Sequence, residues 1–357
     1  MMRGTRAAGC RLLLLVSLGI LVVPSVPGTS AGDKANARKE SPLDSLTADT
    51  IPAAERLQNQ PPELVAVLRT AVGMNPTFGV AFSPSDDTLA SGGVGQPVQL
   101  WDVRTQKVAV KIHTDSSALS LAFTADGKHL LFLTGGGRCL VWRTGEQPGN
   151  PQVTLKASGR VYQQLAVSNV THRAAFDTDD GVRVYDVSAM PPRPLLSLSH
   201  PDGVLSLAFS GDGKTLVIGT PTTVHVWDTG RVTAKALTTH HHPEGPVNAV
   251  AASRDGTTVA GSEGPDIRVY AGGKQTKMIT DHKERVIGLS FVGGDAWPLL
   301  SADASGRMVL RTEDGKRLMD IKVGSGTEGM AVSHDRRYAA TANRDGTVYV
   351  FRLPTQK

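Results

Sequence analysis

Along most of the chain apolar and polar residues alternate in short runs, the period-two pattern of half-buried strands, and the runs return at a fixed interval. One mark of the recurring unit is a strand ending: Val80-Ala81-Phe82, Leu121-Ala122-Phe123, Leu165-Ala166-Val167, Leu207-Ala208-Phe209, Val250-Ala251-Ala252, Leu289-Ser290-Phe291 and Met330-Ala331-Val332. A second mark is a strand ending at Trp101, Trp142, Tyr185, Trp227, Tyr270, Arg311 and Phe351, aromatic in every copy but the sixth. Successive spacings are 41, 43, 42, 43, 41 and 40 residues, and residues 64–357 number 294, which is seven times forty-two. Asp126-Gly127, Asp212-Gly213 and Asp255-Gly256 follow the first strand of their units, and Asp180-Gly181 and Asp345-Gly346 lie at the next turn. Such dipeptides supply the positive φ of tight hairpins. Each unit therefore reads as three hairpin-linked strands and a fourth such as Lys107–Ile112. One sheet of this size cannot bury both its faces, but sheets stacked radially around an axis can.

The spacing predicts an all-β, seven-bladed propeller of four-stranded antiparallel blades over residues 63–357. The chain ends on the third strand of its last unit, and Glu63–Ala71 precedes the first unit at the offset of a fourth strand. This N-terminal strand is expected to complete the last blade and leave the ring without an open edge.

Trp101-Asp102, Trp227-Asp228, the variant Tyr185-Asp186 and the hairpin 210–216 resemble the WD40-repeat propeller family, and the resemblance covers roughly residues 63–357. The polar lead-in before the propeller is similar to that of secreted bacterial members. Resemblance to the family implies a buried network in each blade that links a His before the first strand, an Asp at the second turn, a Ser or Thr, and the strand Trp. His200 and His282 stand nine residues before Phe209 and Phe291, as that pattern asks. Aligned on the turns, Asp180 and Asp345 take the Asp position in blades without the His, so no blade keeps the full set. Arg311 replaces the aromatic of the sixth.

Ahead of the repeats, Arg3, Arg6 and Arg11 precede an apolar run from Leu12 to Val23, Pro24 ends it, and small residues follow to Ala31. That order is a secretory signal peptide over 1–31, the run being shorter than the ~20 residues of a membrane span. Residues 32–62 read as a polar linker with a short helical turn near Ile51. The net charge of +5 falls to +2 (35 basic, 33 acidic) once 1–31 are set aside, so nucleic-acid binding has no electrostatic footprint. Cys139 is then the sole cysteine and, inside an apolar strand, is expected to be a buried, inert thiol.

Candidate chemistry is sparse. Gly211–Thr215 lacks the first glycine of a phosphate-binding loop, since Ala208 holds that place, and it coincides with the repeat's hairpin. His240, His241 and His242, with Glu244 adjacent, are the densest set of metal-type ligands. Consecutive imidazoles do not converge on one ion without outside help, and the favoured reading is a solvated loop between the fourth and fifth blades. Trp297 is either a partner anchor or interblade packing. The channel positions are bland, among them Gln164 and Asn248, and no catalytic residue, cofactor or metal is expected. The loops preceding the first strands form one rim, where Arg160, Tyr162, His242, Glu244, Lys283 and Arg285 are the candidate partner-binding residues. The reading is a monomeric, non-catalytic protein-interaction platform, exported to the periplasm or the extracellular space, with no stable membrane span after cleavage. Its rivals are an envelope or secreted enzyme with a site in the channel, and an intracellular scaffold anchored by residues 1–31.

Overall fold

The structure, a computed structural model, describes residues 41–70, 75–85, 87–146, 151–159, 164–168, 170–200, 202–230, 235–242, 244–324 and 326–355. These residues form seven four-stranded antiparallel sheets. The first blade consists of Thr77–Phe82, Thr88–Gly93, Val98–Asp102 and Lys107–Ile112. The sixth consists of Val286–Phe291, Leu299–Asp303, Arg307–Arg311 and Arg317–Lys322. The protein is a seven-bladed β-propeller, and the repeated strand marks of the sequence are its innermost and third strands.

Burial follows the pattern that predicted the strands. The second and third strands of a blade are covered on both faces by neighbouring blades, so Leu130, Leu131, Phe132 and Leu133 in succession are fully buried. Outer strands alternate instead, as Lys107–Ile112 does with its lysines outward. Trp297 belongs to this interblade packing: it lies edge-on to Phe291 at 5.8 Å and beneath Lys277. Cys139 is buried, and desolvation pushes its thiol pKa up to about 12, which keeps it protonated and unreactive.

In the last sheet Leu64–Arg69 pairs antiparallel with Thr347–Arg352 and fills the outermost place. Unlike the other outer strands it is buried along five consecutive residues, Leu64 to Leu68. Val65, Ala66 and Leu68 pack with first-blade residues such as Leu89 and Trp101. Leu64 and Val67 pack with sixth-blade residues such as Leu300 and Leu310.

Residues 41–62, assigned from sequence to the linker 32–62, lie against this strand. The physical reason is a few apolar side chains within a polar segment. Leu43, Leu46 and Ile51 are buried, carried on the 3₁₀ turns Pro42–Ser45 and Ala48–Thr50 and the residue that follows. Asp44 accepts hydrogen bonds from the Tyr338 hydroxyl and Arg337 Nη1, both at 2.7 Å, and Arg352 Nη2 donates to the carbonyls of Asp44 and Leu46 at 2.8 and 2.6 Å. Thr50 Oγ1 and Gln106 Oε1 meet the outward carbonyl of Val65 and N–H of Val67. The strand's free edge is thereby covered, which denies it to another chain.

Candidate functional site

The upper rim is built from the loops that enter each innermost strand and the turns between second and third strands. Three of its loops begin at a buried histidine, His200, His242 or His282, and the three environments differ.

In the sixth blade His282 is buried with Nδ1 2.8 Å from Asp303 Oδ2 and Nε2 2.8 Å from the Ser301 hydroxyl. Burial, acting against the pull of Asp303, lowers its pKa, so the neutral ring donates through Nδ1 and accepts at Nε2. The blade thus keeps a His–Asp–Ser set, which corrects the turn-based alignment. The acidic residue belongs at the end of the second strand, 21 residues after the histidine, and not in the following Asp-Gly turn. Arg311, opposite Leu299, turns to Asp281 and reaches both carboxylate oxygens at 2.9 Å.

The fifth blade repeats the spacing with other residues: Glu263 stands 21 positions after His242, and Gly261 replaces the serine. The Tyr270 hydroxyl fills that gap and lies 2.9 Å from His242 Nε2. A side chain on Gly261 would meet the ring at 3.3 Å. Glu263 Oε1 accepts the backbone N–H of Glu244 at 2.7 Å, while Oε2 is held by Arg268. In the fourth blade His200 has neither partner. Its Nε2 and the Trp227 indole N–H are both unbonded, and the ring packs 4.7 Å from His225.

The sequence-derived rim residues separate accordingly. Glu244 and Lys283 are exposed, and Arg285 is half-buried at the channel mouth, its carbonyl fixed by the Ala304 N–H at 2.8 Å. His242 is fully enclosed and does not itself face solvent; its Nδ1 lies 3.9 Å from Glu263, and it is Glu263 that holds the Glu244 N–H. Arg160 and Tyr162 lie outside the described residues. The histidine triplet is no solvated loop. His240 and His241 end the strand Lys235–His241, with His240 stacked on Tyr270 at 3.9 Å and His241 exposed. Strand alternation and burial divide the three rings, and no group of three metal-type ligands occurs among the described residues. The sequence reading missed Asp303 and Glu263, and it missed Glu328 at the channel mouth, which pairs with Arg344.

The channel below this rim encloses about 560 Å³, within the range of small-molecule pockets. Its wall mixes apolar side chains such as Leu119, Leu207 and Ile287 with Gln164, Ser206 and Asn248.

Two stretches of the ring, residues 192–228 and 234–270, match the family model described as WD domain, G-beta repeat. These two segments are similar to WD40 repeats. They carry the His200 and His242 arrangements and end at Asp228 and Tyr270. Transcription initiation factor TFIID subunit 5 of Caenorhabditis elegans is 26% identical over 237 residues, covering 64% of this chain and 35% of that protein. The chain thus spans about a third of the length of that relative. Among solved structures, a chain from the crystal structure of a mitotic checkpoint complex superposes with a TM-score of 0.70 at 17% identity, over 92% of this chain and 100% of that one. That likeness is one of fold.

The buried histidines His200, His242 and His282 make the fold sensitive to acid. Desolvation lowers the pKa of His200 and His242 to about 4, from 6.5 for a free imidazole, and lowers His282 in the same direction. The unfolded chain therefore takes up protons first as pH falls. Stability is full above pH 6.5 and is lost on the way down to about pH 4, where these groups stop contributing. Melting temperatures measured across that window are expected to fall by several degrees, and a flat profile would contradict the burial of neutral rings.

Proposed function

We propose that this chain is a non-catalytic protein-interaction platform that uses its upper rim and is exported from the cytoplasm. The observation that carries the reading is the outward presentation of Glu244, Lys283 and Arg285 on loops that buried side chains hold from beneath. Rigid anchoring of charged, solvent-facing side chains lowers the ordering cost of docking a partner. The relative's name, a subunit of a transcription initiation factor, is consistent with a propeller working inside an assembly. Export rests on the arginine-led apolar segment within residues 1–31.

The test is affinity capture with the intact protein against Glu244→Ala/Lys283→Ala/Arg285→Ala, the two melting alike. A discrete protein held by the wild type and lost by the variant is the expected result. Equal capture by both, or none, would remove the rim from the account. N-terminal sequencing of the protein recovered outside the cytoplasm is expected to begin at Gly32, and an intact Met1 would argue for an anchor.

A further inference from the structure

The upper part of the channel is layered. In four blades the ladder between first and second strands skips a residue: between Thr77 and Gly79, Ala118 and Ser120, Val286 and Gly288, and Thr327 and Gly329. The extra residues, Phe78, Leu119, Ile287 and Glu328, all line the cavity and are all half-buried. A bulge of this kind re-aims a side chain that would otherwise follow the alternation of the strand. Two residues further along each strand the lining is apolar in every blade, from Val80 in the first to Leu165, Leu207 and Met330 in the third, fourth and seventh. Glycines let these side chains close the wall between blades. Leu121 fills the space over Gly79, and a methyl group on Gly288 would meet Met330 Cβ at 2.8 Å. The cavity of about 560 Å³ thus has an apolar body.

Charge is confined to its mouth, where Arg285 and Glu328 are the two ionisable residues of the described lining. Glu328 is neutralised by Arg344, from a turn of its own blade. Arg285 precedes the bulge at Ile287, and its side chain forms no ion pair or hydrogen bond among the described residues. The carboxylates near it in the sixth and fifth blades do not supply a partner. Asp303 is taken by His282 and Ser305, and Glu263 by Arg268 and the Glu244 N–H. Glu244 and Glu284 are exposed and stand outside the lining. One cation without a counter-charge, above an apolar cavity, calls for a ligand with one negative charge at the end of an apolar body. A guanidinium fork matches a carboxylate in shape as well as in charge. Cavities of this size, apolar with few polar groups, are the usual setting for small molecules.

We propose that the upper channel is a binding pocket for a small amphipathic carboxylate, its apolar body among the side chains of the innermost strands and its carboxylate at Arg285. The site does not depend on a protein docking at the rim, and the test uses purified protein alone so that the two are read apart. Octanoate is titrated calorimetrically into the full chain at neutral pH, with hexanoate and 1-octanol as comparison ligands. The expected result is one octanoate bound per chain. Hexanoate should bind roughly tenfold more weakly, because each buried methylene is worth about a fourfold change in affinity. Arg285→Gln should weaken octanoate about tenfold and leave 1-octanol unchanged, since it removes the charge from a half-buried position at the mouth and spares the wall. Leu207→Gln, within the wall, should weaken octanoate and 1-octanol together. No saturable binding of octanoate would overturn the pocket. Octanoate binding no tighter than that of 1-octanol, or unchanged in Arg285→Gln, would overturn the carboxylate site, and binding unchanged in Leu207→Gln would place the ligand outside the channel and overturn it as well.

Discussion

A chain lacking residues 63–71 is expected not to fold. The strand Leu64–Arg69 is buried over five consecutive residues between the sixth and first blades, and it holds the outermost place in the seventh. Burying a Leu or Val side chain contributes about 1.5–3 kcal/mol, so losing Leu64, Val65, Val67 and Leu68 together removes as much as the ~5–15 kcal/mol that stabilises a whole domain. Deletion also bares the hydrogen-bonding edge of Thr347–Arg352 and strips the support beneath Leu43, Leu46 and Ile51. The expected outcome is an aggregated or non-cooperatively melting protein by circular dichroism. A truncated chain that melts like the intact one would show that the strand is dispensable.

The second large effect is expected from Asp303→Ala. Asp303 Oδ2 meets His282, and Oδ1 accepts from the Ser305 N–H and hydroxyl and from the Arg307 N–H. Its removal orphans four donors, most of them buried or half-buried, and breaking a buried polar set of this kind costs about 3–5 kcal/mol. The melting temperature should fall by roughly 6–20 °C at about 2–4 °C per kcal/mol for a domain of this size. Asp180→Ala is the control. Asp180 occupies the turn that the sequence alignment favoured, yet it is exposed, and the substitution should stay within about 0.5 kcal/mol. Equal effects at the two positions would contradict the placement of the acid at the strand end.

The ring was legible because its information is local and repeated. Each innermost strand ends on Val-Ala-Phe or a variant, each third strand ends on an aromatic residue or Arg311, and seven copies at one interval fix the blade number. What escaped the sequence depends on contacts distant along the chain. Leu43, Leu46 and Ile51 have no periodicity, and only the docked strand turns them from isolated apolar residues in a polar stretch into a covering layer. His242 stands in a polar triplet next to Pro243 and reads as loop, but Gly261 leaves room for its ring and Tyr270 provides the hydroxyl. The clue that could have found both acids was the shared spacing of 21 residues from His242 to Glu263 and from His282 to Asp303. Counting from the Asp-Gly turns hid it, because the turn aspartates Asp180 and Asp345 are more conspicuous than the strand-end acids.

The docking of another protein on the upper rim is the proposal open to the most direct test. A photo-crosslinking amino acid installed singly at positions 244, 283 and 285 tests it directly, with Leu237 on the exposed outer strand of the fourth blade as the reference. The account predicts a discrete protein adduct at the three rim positions and none at 237. Adducts at 237 alone, or at none of the four, would contradict it.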